Sequence, residues 1–171
     1  MDTIAIVDHT REYRPEDGVL DALAEALTIQ VERDFAPAWG VRPKRVTVGG
    51  RGDKLHFFDS SHQADEYGWH IVDDRGDPYA HVFAGVAIRE GSGWTTGTGA
   101  ISATASHEVL EMLGDPAANE YCLDGGRTLW SREVCDPVQS DTYRIVAGGM
   151  ASAFTASASP DASATPMLTD V

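Results

Sequence analysis

The chain predicts an α+β fold. Three features carry that expectation: a long amphipathic helical stripe near the start, a run of short β-rich segments through the middle, and a second helix beyond them. The length of 171 residues suits one domain with a sizeable core. Residues 3–7 are mostly β-branched and apolar, a first strand buried on both faces. Residues 15–35 follow as a helix, because Val19, Leu20, Leu23, Ala24, Leu27, Val31 and Phe35 recur at three- and four-residue spacing. Pro15 suits its first turn, with Glu16 and Asp17 at the positive dipole end, and Pro37 and Gly40 are expected to stop it.

Strands are expected at 45–48, 54–58, 68–72 and 79–86, separated by turn signals at GGRGD and DDRGDP. The glycine-rich stretch 91–99 (GSGWTTGTG) lacks the Lys-Ser/Thr ending of a phosphate loop and reads as a loop able to act as a lid. The second helix spans about 101–113, with Gly114 and Pro116 ending it. Residues 117–132 show no period and read as a long loop; 133–137 and 142–146 read as short extended pieces. In 151–166, alanine, serine and threonine make 12 of 16 residues. The expected organisation is therefore a body over 1–149 and a tail over 150–171, either flexible or ordered only against a partner.

Composition narrows the function. With 27 acidic against 13 basic side chains, the net charge is −14 and the pI about 4.6, which argues against a nucleic-acid partner. No apolar run approaches the roughly 18 residues of a membrane span. The start, MDTIAIVDHT, has no basic stretch followed by an apolar one, so no signal peptide is expected and the expected location is cytoplasmic or particle-associated. Cys122 and Cys135 read as reduced thiols.

The chemistry concentrates in the second helix, at His107-Glu108-Val109-Leu110-Glu111. Positions four apart lie about 40° from each other on a helix, roughly 6 Å along its axis, so His107 and Glu111 can grip one metal ion. This is the HExxH zinc arrangement with glutamate replacing the second histidine. Glu108 points to a neighbouring direction, where it can take a proton from metal-bound water. With six histidines and ten glutamates in 171 residues, chance placement supplies the pattern roughly 0.02 times. The bland alternative is a solvated His107/Glu111 pair; the apolar Ile101, Val109, Leu110, Met112 and Leu113 argue against it, because they bury the helix.

A third ligand is expected from the segment WSREVCDPV, at Glu133 or Asp136. If that segment is extended, the two face opposite sides and only one reaches the ion. Asp115 lies about 12 Å along the helix from His107 and suits capping, or a hydrogen bond that supports a ligand from behind, instead. His70 is a further candidate, as a metal or transition-state partner in the cleft or simply as a histidine packed in a strand.

The blocks DFAPAWG (34–40), GDPYAHVF (76–83), ASHEVLEMLGDP (105–116) and EVCDPV (133–138), with Gly68-Trp69-His70, resemble a family of small bacterial and phage proteins of zincin-like, metallopeptidase type. The similar stretch runs from about residue 3 to 146. The Ala/Ser-rich tail departs from that family's more aromatic ending. The HExxE helix with a later Glu-x-x-Asp is also similar, more distantly, to plant phosphate-induced cell-wall proteins. The resemblance implies a zincin-like architecture: a small mixed sheet, a backing helix and an HExxE-bearing active helix below the sheet edge. An extended substrate would then add to the edge strand, for which 79–86 is the expected segment, although an interior position is an equal alternative.

Two functions follow as expectations. The first is metal-dependent hydrolysis of a peptide or protein, with Glu108 and His70 catalytic and His107, Glu111 and Glu133 or Asp136 holding the metal. The second is a non-enzymatic phage-particle or assembly module that keeps a structural or vestigial ion. Zinc is the expected cofactor, but two carboxylates and one imidazole neutralise a divalent charge and shift preference toward manganese, iron or calcium.

Overall fold

Ile4, Ala5 and Ile6 are buried in the interior of strand β1 (Thr3–Asp8), in a computed structural model that describes residues 3–61, 66–97, 99–123, 129–138, 140–147 and 153–157. Burial on both faces follows from its place in a five-stranded mixed sheet. The other strands are β2 (Arg45–Val48), β3 (Asp53–Phe58), β4 (Gly68–Val72) and β5 (Pro78–Phe83), in the order β2-β1-β3-β5-β4. All neighbours are parallel except β4, which runs antiparallel to β5 with His70 opposite Ala80. β4 is therefore an edge and β5 is interior. The expectation that 79–86 forms the edge is corrected by a strand order that local sequence does not encode. The strand also ends at Phe83: residues 84–86 belong to helix α3 (Ala84–Arg89), a buried apolar run too short for periodicity to distinguish helix from strand.

Helix α1 (Val19–Ile29) starts later than expected, because Gly18 sits in the left-handed region with φ 82°. It passes through a π-helical turn (Gln30–Phe35) into the short helix α2 (Ala36–Trp39). Pro37 does not stop the chain: it occupies the first turn of α2, where its missing N–H is not needed. The stop comes at Gly40. Val31 and Phe35 remain buried through the π turn, joining Leu23 and Leu27 in one core with Leu55, Phe57 and Val82 of the sheet.

Helix α4 (Ile101–Gly114) packs on β4 and β5, and its Ile101, Ala105, Val109, Leu110 and Met112 enter the same core. Gly68 lets β4 approach closely, since a Cβ there would lie 2.7 Å from Glu108 Oε1 and 2.9 Å from both the His81 carbonyl oxygen and Thr104 Cγ2. The preceding glycine-rich loop is pinned by Trp94, which donates its Nε1–H to the Tyr13 carbonyl at 3.0 Å and packs its ring on Phe57. That anchoring opposes its use as a lid. On the sheet face opposite Leu55 and Phe57, His9, His56, Phe58, Trp69, Tyr79 and His81 form a ring ladder, His9 stacked on His56 and Phe58 and the other rings meeting tilted or edge-on.

Three further corrections concern the C-terminal third. Within the expected loop 117–132, β6 (Tyr121–Leu123) pairs antiparallel with β7 (Leu129–Ser131). The expected extended piece 133–137 instead enters a 3-10 turn (Asp136–Val138). Strand β8 (Thr142–Val146) pairs with β9 (Ala153–Ser157), which also lies against α4, so at least these five tail residues are ordered by a main-chain ladder that their composition does not announce. The rest of the tail lies outside the described residues. Among the described residues, no helix is long and apolar enough to cross a membrane.

Candidate metal centre

Helix α4 turns His107, Glu108 and Glu111 toward one cleft of about 610 Å³. Strand β4 supplies Gly68 and His70, and the returning segment supplies Glu133 and Asp136. All six residues singled out from the sequence thus line the same cavity. His70 reaches it because strand alternation turns it toward α4, while Trp69 joins the ring ladder on the other face. Gly114 sets the return path, for a Cβ there would meet Val134 Cγ1 at 2.6 Å. Because Asp136 opens a 3-10 turn, the strand alternation that would separate it from Glu133 does not apply, and both face the cleft.

The donor atoms are close together. His107 Nε2 lies 3.0 Å from Glu111 Oε1 and 3.3 Å from Asp136 Oδ1. His70 Nδ1 lies 3.5 Å from Glu111 Oε2 and 3.7 Å from Glu108 Oε2. Two ligands held tetrahedrally at 2.0–2.1 Å from one ion stand about 3.3 Å apart, so these separations suit a shared cation. Two groups place their donor atoms within 4.8 Å of one another: His107, Glu111 and Cys135, and His70, Glu111 and Glu133. Cys135 is the donor that sequence reasoning passed over; its position between Glu133 and Asp136 was the available signal. Its thiol is buried, and its backbone N–H points to Glu111 Oε1 at 3.4 Å.

Asp115 acts from behind. Its carbonyl oxygen lies 3.0 Å from His70 Nε2, and a carbonyl can only accept, so Nε2 carries the hydrogen and Nδ1 faces the carboxylates. The Asp115 carboxylate is fully buried and accepts the Glu120 backbone N–H at 2.7 Å, which ties down the loop beyond the helix rather than capping it.

Burial alone would lower both imidazoles, but the facing acids outweigh it. Glu108 and Glu111 push His70 up to about 10, and Asp136 and Glu111 push His107 up to about 10. Burial raises Glu108 to about 6, against the pull of His70. Burial would raise Glu111 as well, but His107 and His70 hold it at about 2. In physical terms, each imidazole faces carboxylates that favour a positive charge beside it, whether a proton or a metal ion. Glu108 is 5% exposed, and its Oε2 has no hydrogen-bond partner.

No family profile, curated protein or solved structure matches this chain.

Proposed function

We propose that the cleft binds a divalent cation and hydrolyses an amide bond of a peptide laid along β4. The observation that carries this reading is Glu108: a carboxyl group 5% exposed, with Oε2 lacking a hydrogen-bond partner, that lines the cleft 3.7 Å from His70 Nδ1. A purely structural ion has no need of it. His107 and Glu111 would hold the cation, with Asp136 or Cys135 completing the set. When bound, the cation supplies Lewis acidity to a water and to the scissile carbonyl. Glu108, poised near neutrality by burial, accepts the proton of the attacking water and returns it to the leaving amine. His70, fixed by the Asp115 carbonyl, presents Nδ1 to the reacting region.

The substrate site follows from the sheet. Among the described residues, β4 pairs only with β5, so its outer edge offers main-chain N–H and C=O groups beside the cleft. A mixed sheet backed by α1, with an HExxE helix under an antiparallel edge, supports the zincin-like reading.

One observation favours a second reading. The carboxylate-rich donor set leaves little positive charge to acidify water, which suits a structural ion in a non-enzymatic assembly module. The test is to incubate the full chain with zinc or manganese and a mixed peptide library, followed by mass spectrometry. Cleavage that a chelator stops and added metal restores is expected. Absence of cleavage with every divalent ion tried overturns the hydrolase reading.

A further inference from the structure

We propose that this cleft is a two-ion centre in which the Glu111 carboxylate bridges two divalent cations. The inference rests on the metal-binding reading above and goes beyond it, since an HExxE helix by itself calls for one ion. The two oxygens of Glu111 face different imidazoles. Oε1 lies 3.0 Å from His107 Nε2, and Oε2 lies 3.5 Å from His70 Nδ1. Each imidazole then has its own further donor: Cys135 on the His107 side and Glu133 on the His70 side, with each triad inside 4.8 Å and Glu111 common to both. Asp136 Oδ1, 3.3 Å from His107 Nε2, adds to the first set. A carboxylate using one oxygen per ion suits the spacing of about 3.5–4 Å found in two-metal sites.

Charge points the same way. Glu66, Glu108, Glu111, Glu133 and Asp136 line one cleft, and among the described residues no lysine or arginine lines it. With both histidines neutral, as metal ligands must be, one divalent ion offsets only two of these five carboxylate charges, and a ligating Cys135 thiolate would add a sixth, so a second ion is favoured. Glu108 supplies an observation independent of the triads. Its Oε2 is buried without a hydrogen-bond partner and stands 3.7 Å from His70 Nδ1, on the side where the second ion would sit. The His70 tautomer fits too, because the Asp115 carbonyl occupies Nε2–H and leaves the Nδ1 lone pair for the ion. Imidazole and carboxylate donors of this kind favour manganese, iron or zinc.

The experiment uses the full chain, stripped with chelator, dialysed against manganese(II) and examined by elemental analysis and electron paramagnetic resonance. Two manganese ions per chain with an exchange-coupled spectrum are expected. His70→Gln and His107→Gln should each reduce the count to one and replace the coupled signal by an isolated six-line spectrum. One ion per chain in the wild type, with an uncoupled spectrum, overturns the two-ion centre and leaves the single-ion hydrolase standing. No bound ion overturns both. The wild-type spectrum decides the matter without any variant, so misfolding of a substituted chain does not blur the outcome.

Discussion

Replacing Gly68 by alanine should unsettle the contact between the edge strand β4 and helix α4. The added Cβ would lie 2.7 Å from Glu108 Oε1, 2.9 Å from the His81 carbonyl oxygen and 2.9 Å from Thr104 Cγ2. Ordinary contact begins near 3.4 Å, so all three neighbours must yield by about half an ångström or more. The Glu108 side chain can rotate, but the His81 carbonyl belongs to β5 and is held by the sheet. Overpacking of this kind costs about 1–3 kcal/mol. For a chain of this length each kcal/mol lowers Tm by about 2–4 °C, giving a fall of about 2–12 °C. Thermal unfolding followed by circular dichroism reads the shift. Thr104→Ser, which removes one of the three clashing atoms, should recover part of the loss in the double variant. An unchanged Tm in Gly68→Ala would mean that β4 does not lie against α4 as described, and the placement of His70 beside Glu108 would fall with it.

Other perturbations separate the site from its supports. Glu133→Gln and Asp136→Asn should each weaken zinc or manganese binding at least tenfold, about 1.4 kcal/mol, by titration calorimetry. Asp115→Ala should leave that affinity within about twofold but lower stability by about 1–3 kcal/mol, because the Glu120 N–H loses its acceptor. Truncation after Gly149 removes β9, and should lower Tm by several degrees rather than leave it unchanged; an unaltered Tm would show that the β8–β9 ladder contributes nothing. Burial, with His81 and His9 nearby, depresses His56 to about 4. A histidine held neutral in the fold contributes stability that is complete above about pH 6.5 and is lost as pH falls toward 4. His56→Gln should therefore flatten the urea midpoint across that window, and an unchanged slope would contradict it.

Local periodicity carried the two long helices and the strands of the main sheet, but not α3, which read as strand. The apolar stripe of α1 and the His107/Glu111 spacing both express the 3.6-residue repeat, and both landed on real helices. What escaped was set by distant partners. Nothing in Tyr79–Phe83 announces that β4 returns antiparallel on its outer side and makes it interior. The π turn at Gln30–Phe35 keeps Val31 and Phe35 buried, so the hydrophobic pattern reads as one uninterrupted helix. His70 was readable as a candidate partner in the cleft, but not which groups it would face, because Glu108 and Glu111 arrive 38 and 41 positions later. The two-sided reading of Glu133 and Asp136 presumed a strand, and Pro137 in a 3-10 turn removes that geometry. Cys135 followed the general habit of buried thiols until α4 brought Glu111 beside it.

The central claim is that Glu108 performs chemistry at a bound cation. Its most direct test compares wild type and Glu108→Gln for peptide cleavage at equal, measured metal content. The glutamine keeps the shape of the side chain but cannot accept the proton. At that equal metal content, cleavage should fall by about 10²–10⁴-fold. Equal rates in the two proteins would contradict the account.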